Sequence, residues 1–188
     1  MFQRLSWRKI EVREIAVASV LGALSAMLKF QPGPPFSISF PLYPRIAWDF
    51  AEIPVITSLL LCGPIYSIHT SLIGCSIIFL RGNVTGGIFK VIAELATIIG
   101  YAAFRRNFAI DTAKATLSRV VMMTVANYYL LPFFYGKYGT TPEVAAALLV
   151  PIAVFNTTQA LINIIPTYTI YKRVAGKIYP TNREHKSY

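Results

Sequence analysis

Six apolar runs, separated by prolines, glycines and clusters of charge, organise this chain. Residues 14–30, "EIAVASVLGALSAMLKF", follow a basic head of Arg4, Arg8, Lys9 and Arg13. A secretory signal would begin alike, but more apolar runs follow and no A-x-A site is clear, so a retained first helix is predicted. Residues 31–47 carry five prolines, at 32, 34, 35, 41 and 44, and read as an irregular loop. The next apolar stretch, about 50 to 80, exceeds one simple span. Gly63-Pro64 divides it into helices over 50–62 and 64–81, because proline ends a helix and glycine supports the turn. "RGNVTGG" then turns the chain into a helix over 86–104. The basic connection "RRNFAIDTAKATLSR" precedes a fifth helix over 116–134. "YGKYGTTPE" precedes a sixth over 143–173, which carries Pro151 and Pro166.

Composition turns these helices into membrane spans. The 188 residues are 55% hydrophobic and 14% charged, with a mean hydropathy of +0.53. A soluble surface needs about a quarter of its residues charged, so this chain could not cover itself. The expected fold class is an all-α membrane protein: six transmembrane helices in one bundle, a single integral membrane domain over residues 1–188. The second helix is short and is expected to lean on its neighbours.

The net charge of +10 is read as the positive-inside bias rather than as nucleic-acid binding. Thirteen of the 18 basic residues fall in the head, the 105–119 connection or the tail. That connection contributes Arg105, Arg106, Lys114 and Arg119. Both termini are therefore expected in the cytoplasm, with the 31–47 loop outside.

Phosphate-cradling and hydrolytic motifs are missing: the sequence holds no GxxxxGK[ST], HExxH or GxSxG. Cys62 and Cys75 form no CxxC and no Cys/His cluster, so no metal site is indicated. His69 reads as a helix contact. The remaining signal is a set of polar groups that are costly in a bilayer. Lys90 and Glu94 share a helix face, and they either pair with each other or contact a ligand. Asn127 precedes Tyr128 and Tyr129, while Asn156, Gln159 and Asn163 form one polar stripe. Phe36, Phe40, Tyr43, Trp48 and Phe50 add flat faces in and beside the proline-stiffened loop. A few polar groups around an aromatic cavity suit a small planar ligand.

Two further features stand out. "WDFAEIP" places Asp49 and Glu52 at the start of the second helix, where they can cap it. Asp49 can alternatively bind ligand or hold Arg45. Ala18, Gly22 and Ala26 recur at four-residue spacing on the first helix, which permits close helix approach. The facing helix belongs to this chain or to another subunit; the subunit interface is the preferred reading.

"DFAEIP" at 49–54, "CGP" at 62–64, "TGG" at 85–87, Asn127-Tyr128, Leu131-Pro132, Tyr135-Gly136, Phe155-Asn156 and Tyr171-Lys172-Arg173 follow one another along nearly the whole chain. Taken together, these motifs resemble the substrate-binding S component of an energy-coupling factor (ECF) vitamin transporter, most of all its riboflavin-specific branch. The chain has Gln159 where the branch often carries lysine, and Glu94 lies farther from the glycine pair than the branch's carboxylate. The resemblance implies riboflavin or a related flavin as ligand, with no cofactor of the chain's own. It implies a transmembrane T component and two cytoplasmic ATPases as partners, with ATP used by those partners. The candidate ligand residues are Tyr43, Arg45, Trp48, Asp49, Lys90, Glu94, Asn127, Tyr128, Asn156, Gln159 and Asn163. Alternatives are an S component for a different vitamin or precursor, an intramembrane enzyme acting on lipid or isoprenoid, and a pure assembly protein. An enzyme would need clustered acids or a nucleophile with its base, and neither is present. The chain is expected not to be an enzyme and to reside in the cell membrane.

Overall fold

Pro54 in the first turn and the apolar run that follows start a helix at Ile53, and Gly63, at φ 107°, lets the chain turn sharply after it. The result is a nine-residue helix, with seven of its residues buried. At 1.5 Å per residue it is about 14 Å long, half of what a hydrocarbon core requires. It survives because protein surrounds it. The computed structural model describes residues 11–30, Pro35 and residues 37–178, the last four by backbone alone. Phe36, Arg4, Arg8, Lys9, Arg183 and the other residues before 11 and after 178 lie outside this description.

Among the described residues there are six α-helices: α1 (Val12–Phe30), α2 (Ile53–Leu61), α3 (Pro64–Leu80), α4 (Val84–Ala102), α5 (Phe108–Tyr135) and α6 (Pro142–Ile178). α1 packs on α3, and α4, α5 and α6 follow in sequence around the bundle. α2 sits among α1, α3 and α6. Its Val55, Ile56, Leu59 and Leu60 meet Ile98 and Tyr101 of α4, Ala115 of α5, and Ala160 and Ile164 of α6. Hydroxyl groups tie the short helix further: Ser67 Oγ donates to the Val55 carbonyl at 2.8 Å, and the Ser58 and Thr70 hydroxyls lie within hydrogen-bond distance of each other at 2.9 Å. Among the described helices, α4 and the Pro142–Val174 portion of α6 are long and apolar enough to cross a membrane. α6 remains one helix through Pro151 and Pro166.

Three expectations change. The 31–47 loop is not irregular throughout, since β1 (Ser37–Ser39) pairs antiparallel with β2 (Ala47–Asp49). Trp48 therefore lies on a strand. α5 starts at Phe108, not 116, because Asn107 caps it by accepting a hydrogen bond from the Ile110 N–H at 2.9 Å. Lys114 and Arg119 are thus helical, and Arg119 is 1% exposed rather than part of a cytoplasmic connection.

The third change concerns the small-residue stripe. A Cβ built on Gly22 would lie 2.8 Å from the Ile73 Cβ of α3, so Gly22 serves a contact within this chain. Ala18 joins the same contact, with its carbonyl accepting from Thr70 Oγ1 at 3.0 Å. Both are buried by α3 and not displayed to another subunit, while Ala26 is half-buried.

Candidate functional site: a cavity beneath the β-hairpin

The β-hairpin lies over a cavity of about 430 Å³ bounded by the end of α1 and by α4, α5 and α6. That volume falls within the range of about 300–1,000 Å³ typical of small-molecule sites. Tyr43, Phe89, Tyr135 and Phe155 supply aromatic faces to it, and Met123, Leu131, Leu148 and Ile152 aliphatic ones. Tyr43, Arg45, Asp49, Lys90, Asn127 and Asn156, all expected from the sequence, line it.

The remaining candidates stand behind or away from the wall. The Trp48 indole N–H donates to Thr158 Oγ1 at 2.8 Å, and its ring meets Phe40 edge-on at 5.1 Å. Trp48 therefore pins the hairpin to α6. Gln159 exchanges two hydrogen bonds with the Asp49 backbone: its Oε1 accepts from the Asp49 N–H at 3.2 Å, and its Nε2 donates to the Asp49 carbonyl at 3.0 Å. Asn163 Nδ2 donates to the same carbonyl at 2.9 Å. Both amides clamp the backbone that enters α2. Tyr128 is exposed and packs edge-on against Tyr129 at 5.1 Å.

The ion pairs are not those that spacing suggests. Lys90 and Glu94 do not bind each other. Lys90 Nζ reaches Asp49 Oδ2 and Glu52 Oε1, both at 2.7 Å. Glu94 pairs with Lys29, at the end of α1, at 2.7 Å and accepts from Ser71 Oγ at 2.7 Å. Arg119 grips Glu52 with two nitrogens, at 2.6 and 3.0 Å. Glu52 occupies the N-cap position of α2 but makes no side-chain cap, because these cations take its oxygens. Asp49 instead accepts from the Ala51 N–H at 3.0 Å.

Three carboxylates, Asp49, Glu52 and Glu94, thus meet three cations, Lys29, Lys90 and Arg119. A buried charge at this depth is tolerated only when paired and hydrogen-bonded. Lys29, Glu52 and Arg119 were not among the expected site residues. The signal available was the need of Glu52, inside an apolar stretch, for a buried cation.

The family model for the ECF transporter substrate-specific component matches residues 13–171. The chain belongs to this family. The S component of a bacterial ECF transporter, known from a solved structure, superposes with a TM-score of 0.75 at 19% identity, over 89% of this chain and 98% of that one. The similarity extends the family assignment to the fold. None of the curated proteins matches the sequence. As an S component, the chain is the substrate-binding subunit of a membrane transporter, not an enzyme. S components associate with T and ATPase modules, and membrane residence follows from the family.

Proposed function

We propose that this S component captures riboflavin, or a closely related flavin, at the outer face of the cell membrane. The observation that carries the reading is the cavity wall, where two asparagine amides, Asn127 and Asn156, stand among Tyr43, Phe89, Tyr135 and Phe155. Flat rings bury the faces of a tricyclic ligand, and placed amides bind its edge. The sequence motifs shared with the riboflavin branch support the same ligand. Capture is followed by delivery through a T component driven by two cytoplasmic ATPases. The basic-residue asymmetry supports six crossings with both termini cytoplasmic.

The test is binding by the purified protein without ATP. Titration with riboflavin, followed by calorimetry and flavin fluorescence, is expected to saturate at micromolar ligand or below, with quenching from stacking on an aromatic wall. Asn127→Ala and Asn156→Ala should each weaken binding by about 1–3 kcal/mol, the range for leaving a polar partner unpaired. Failure to saturate would reject riboflavin, and a panel of other vitamins would then identify the ligand of the same cavity.

A further inference from the structure

Asn127 and Asn156 both line the cavity, yet the protein has already used part of each amide. Asn156 Oδ1 accepts from Arg119 Nε at 3.0 Å, while its Nδ2 donates to the Ile152 carbonyl at 2.9 Å. Arginine can only donate and a carbonyl can only accept. The chemistry of the neighbours therefore fixes which end of the amide is oxygen and which is nitrogen. The second N–H of Asn156 is left for the cavity. Asn127 is turned the same way on its own helix, but nothing of the Arg119 kind engages its oxygen. Its Nδ2 donates to the Met123 carbonyl at 2.6 Å, and its Oδ1 accepts from none of the described residues. Asn127 thus keeps its carbonyl oxygen for the cavity, beside a second N–H, where the Asn156 oxygen is already engaged by Arg119 and its second N–H is what remains.

Arg119 does not line the cavity. It is held behind the wall by Glu52, at 2.6 and 3.0 Å, and by Thr97 Oγ1, at 3.2 Å. We propose that Arg119 is a positioning residue that sets the hydrogen-bonding polarity of the cavity. It locks Asn156 as a donor, and with Asn127 as acceptor the wall selects a ring edge carrying both C=O and N–H, as in a cyclic amide or imide. A flavin has such an edge, so the choice of probe rests on the flavin reading. The orientation of Asn156 does not.

The test uses the whole protein in lipid nanodiscs with ¹⁵N-labelled asparagine side chains. The Asn156 amide signals are assigned by their loss in Asn156→Asp. Arg119→Lys keeps a cation for Glu52 and removes the Nε donor. In that variant the ligand-free Asn156 amide signals should move more than those of any other asparagine. Riboflavin affinity should fall about 3- to 10-fold, the range for one net hydrogen bond, and that fall should vanish in an Asn156→Ala background. For the acceptor, 3-methylriboflavin, whose ring N–H is blocked, should bind the wild type about 10-fold more weakly than riboflavin, yet equally to riboflavin in Asn127→Ala. Unmoved Asn156 signals, or a loss of the same size with Asn156→Ala, would overturn the role of Arg119. If riboflavin does not bind the wild type, the flavin reading fails, and the ligand-free amide signals alone decide the Arg119 assignment. Should Arg119→Lys not fold, Asn156→Asp carries the test. An acceptor-only side chain must lose as much affinity as alanine, and retained affinity overturns the assigned polarity.

Discussion

Glu52 is shared between Arg119 and Lys90, so removing its charge leaves the buried Arg119 without a carboxylate, while Lys90 keeps Asp49. Breaking a buried pair by deleting one partner costs about 3–5 kcal/mol, because the other charge stays behind without compensation. Glu52→Gln should destabilise the isolated subunit by that amount, read by thermal or denaturant unfolding in detergent. Arg119→Met combined with Glu52→Gln should cost less than the sum of the single changes, since neither ion is then left without the other. A purely additive result would show that the two do not act as a pair. This layer was hard to read in the sequence. An arginine near a helix start carries the same letter whether it meets lipid headgroups or a buried glutamate. Arg119 was counted with Arg105 and Arg106, and only the distance to Glu52, 67 positions away, separates it from them. Asn127 and Asn156 were legible because an asparagine within an apolar run must find a partner.

Among the elements, the α1–α3 contact answers a question that the sequence left open. Gly22 permits the close approach, and its neighbour is Ile73 of the same chain. Gly22→Leu should therefore destabilise the isolated subunit by about 1–3 kcal/mol through overpacking, with Ile73→Ala restoring part of the loss. Unchanged unfolding, with assembly alone impaired, would contradict this. Small residues at spacing four show that a helix comes near, and they do not say whose helix it is. The helix breaks at Gly63-Pro64 and after Arg81 were legible for a better reason, since backbone chemistry acts locally. The hairpin was not. Its strands have three residues each, shorter than the four to eight over which alternation is recognisable. The prolines around them read as disorder of pattern. Trp48 holds this hairpin down, and Trp48→Phe should keep the ring contact while losing the bond to Thr158, for about 1 kcal/mol of stability.

At the scale of the whole molecule, the orientation proposed from the charge bias can be tested at two exposed positions. Ser39 lies on the hairpin, and Arg106 follows α4. In a background with Cys62 and Cys75 replaced, a cysteine at Ser39 should react with an impermeant reagent on intact cells. One at Arg106 should react only after permeabilisation. Reversed labelling would turn the cavity to the cytoplasm. The three carboxylates and three cations around that cavity have a consequence for energetics during transport. A unit charge carried through 100 mV of membrane potential is worth about 2.3 kcal/mol. Their sum is zero, so a rigid translation of the subunit along the membrane normal moves no net charge in this cluster along the electric field. Voltage gains no handle on such a translation through these six groups, and an uncharged ligand adds none.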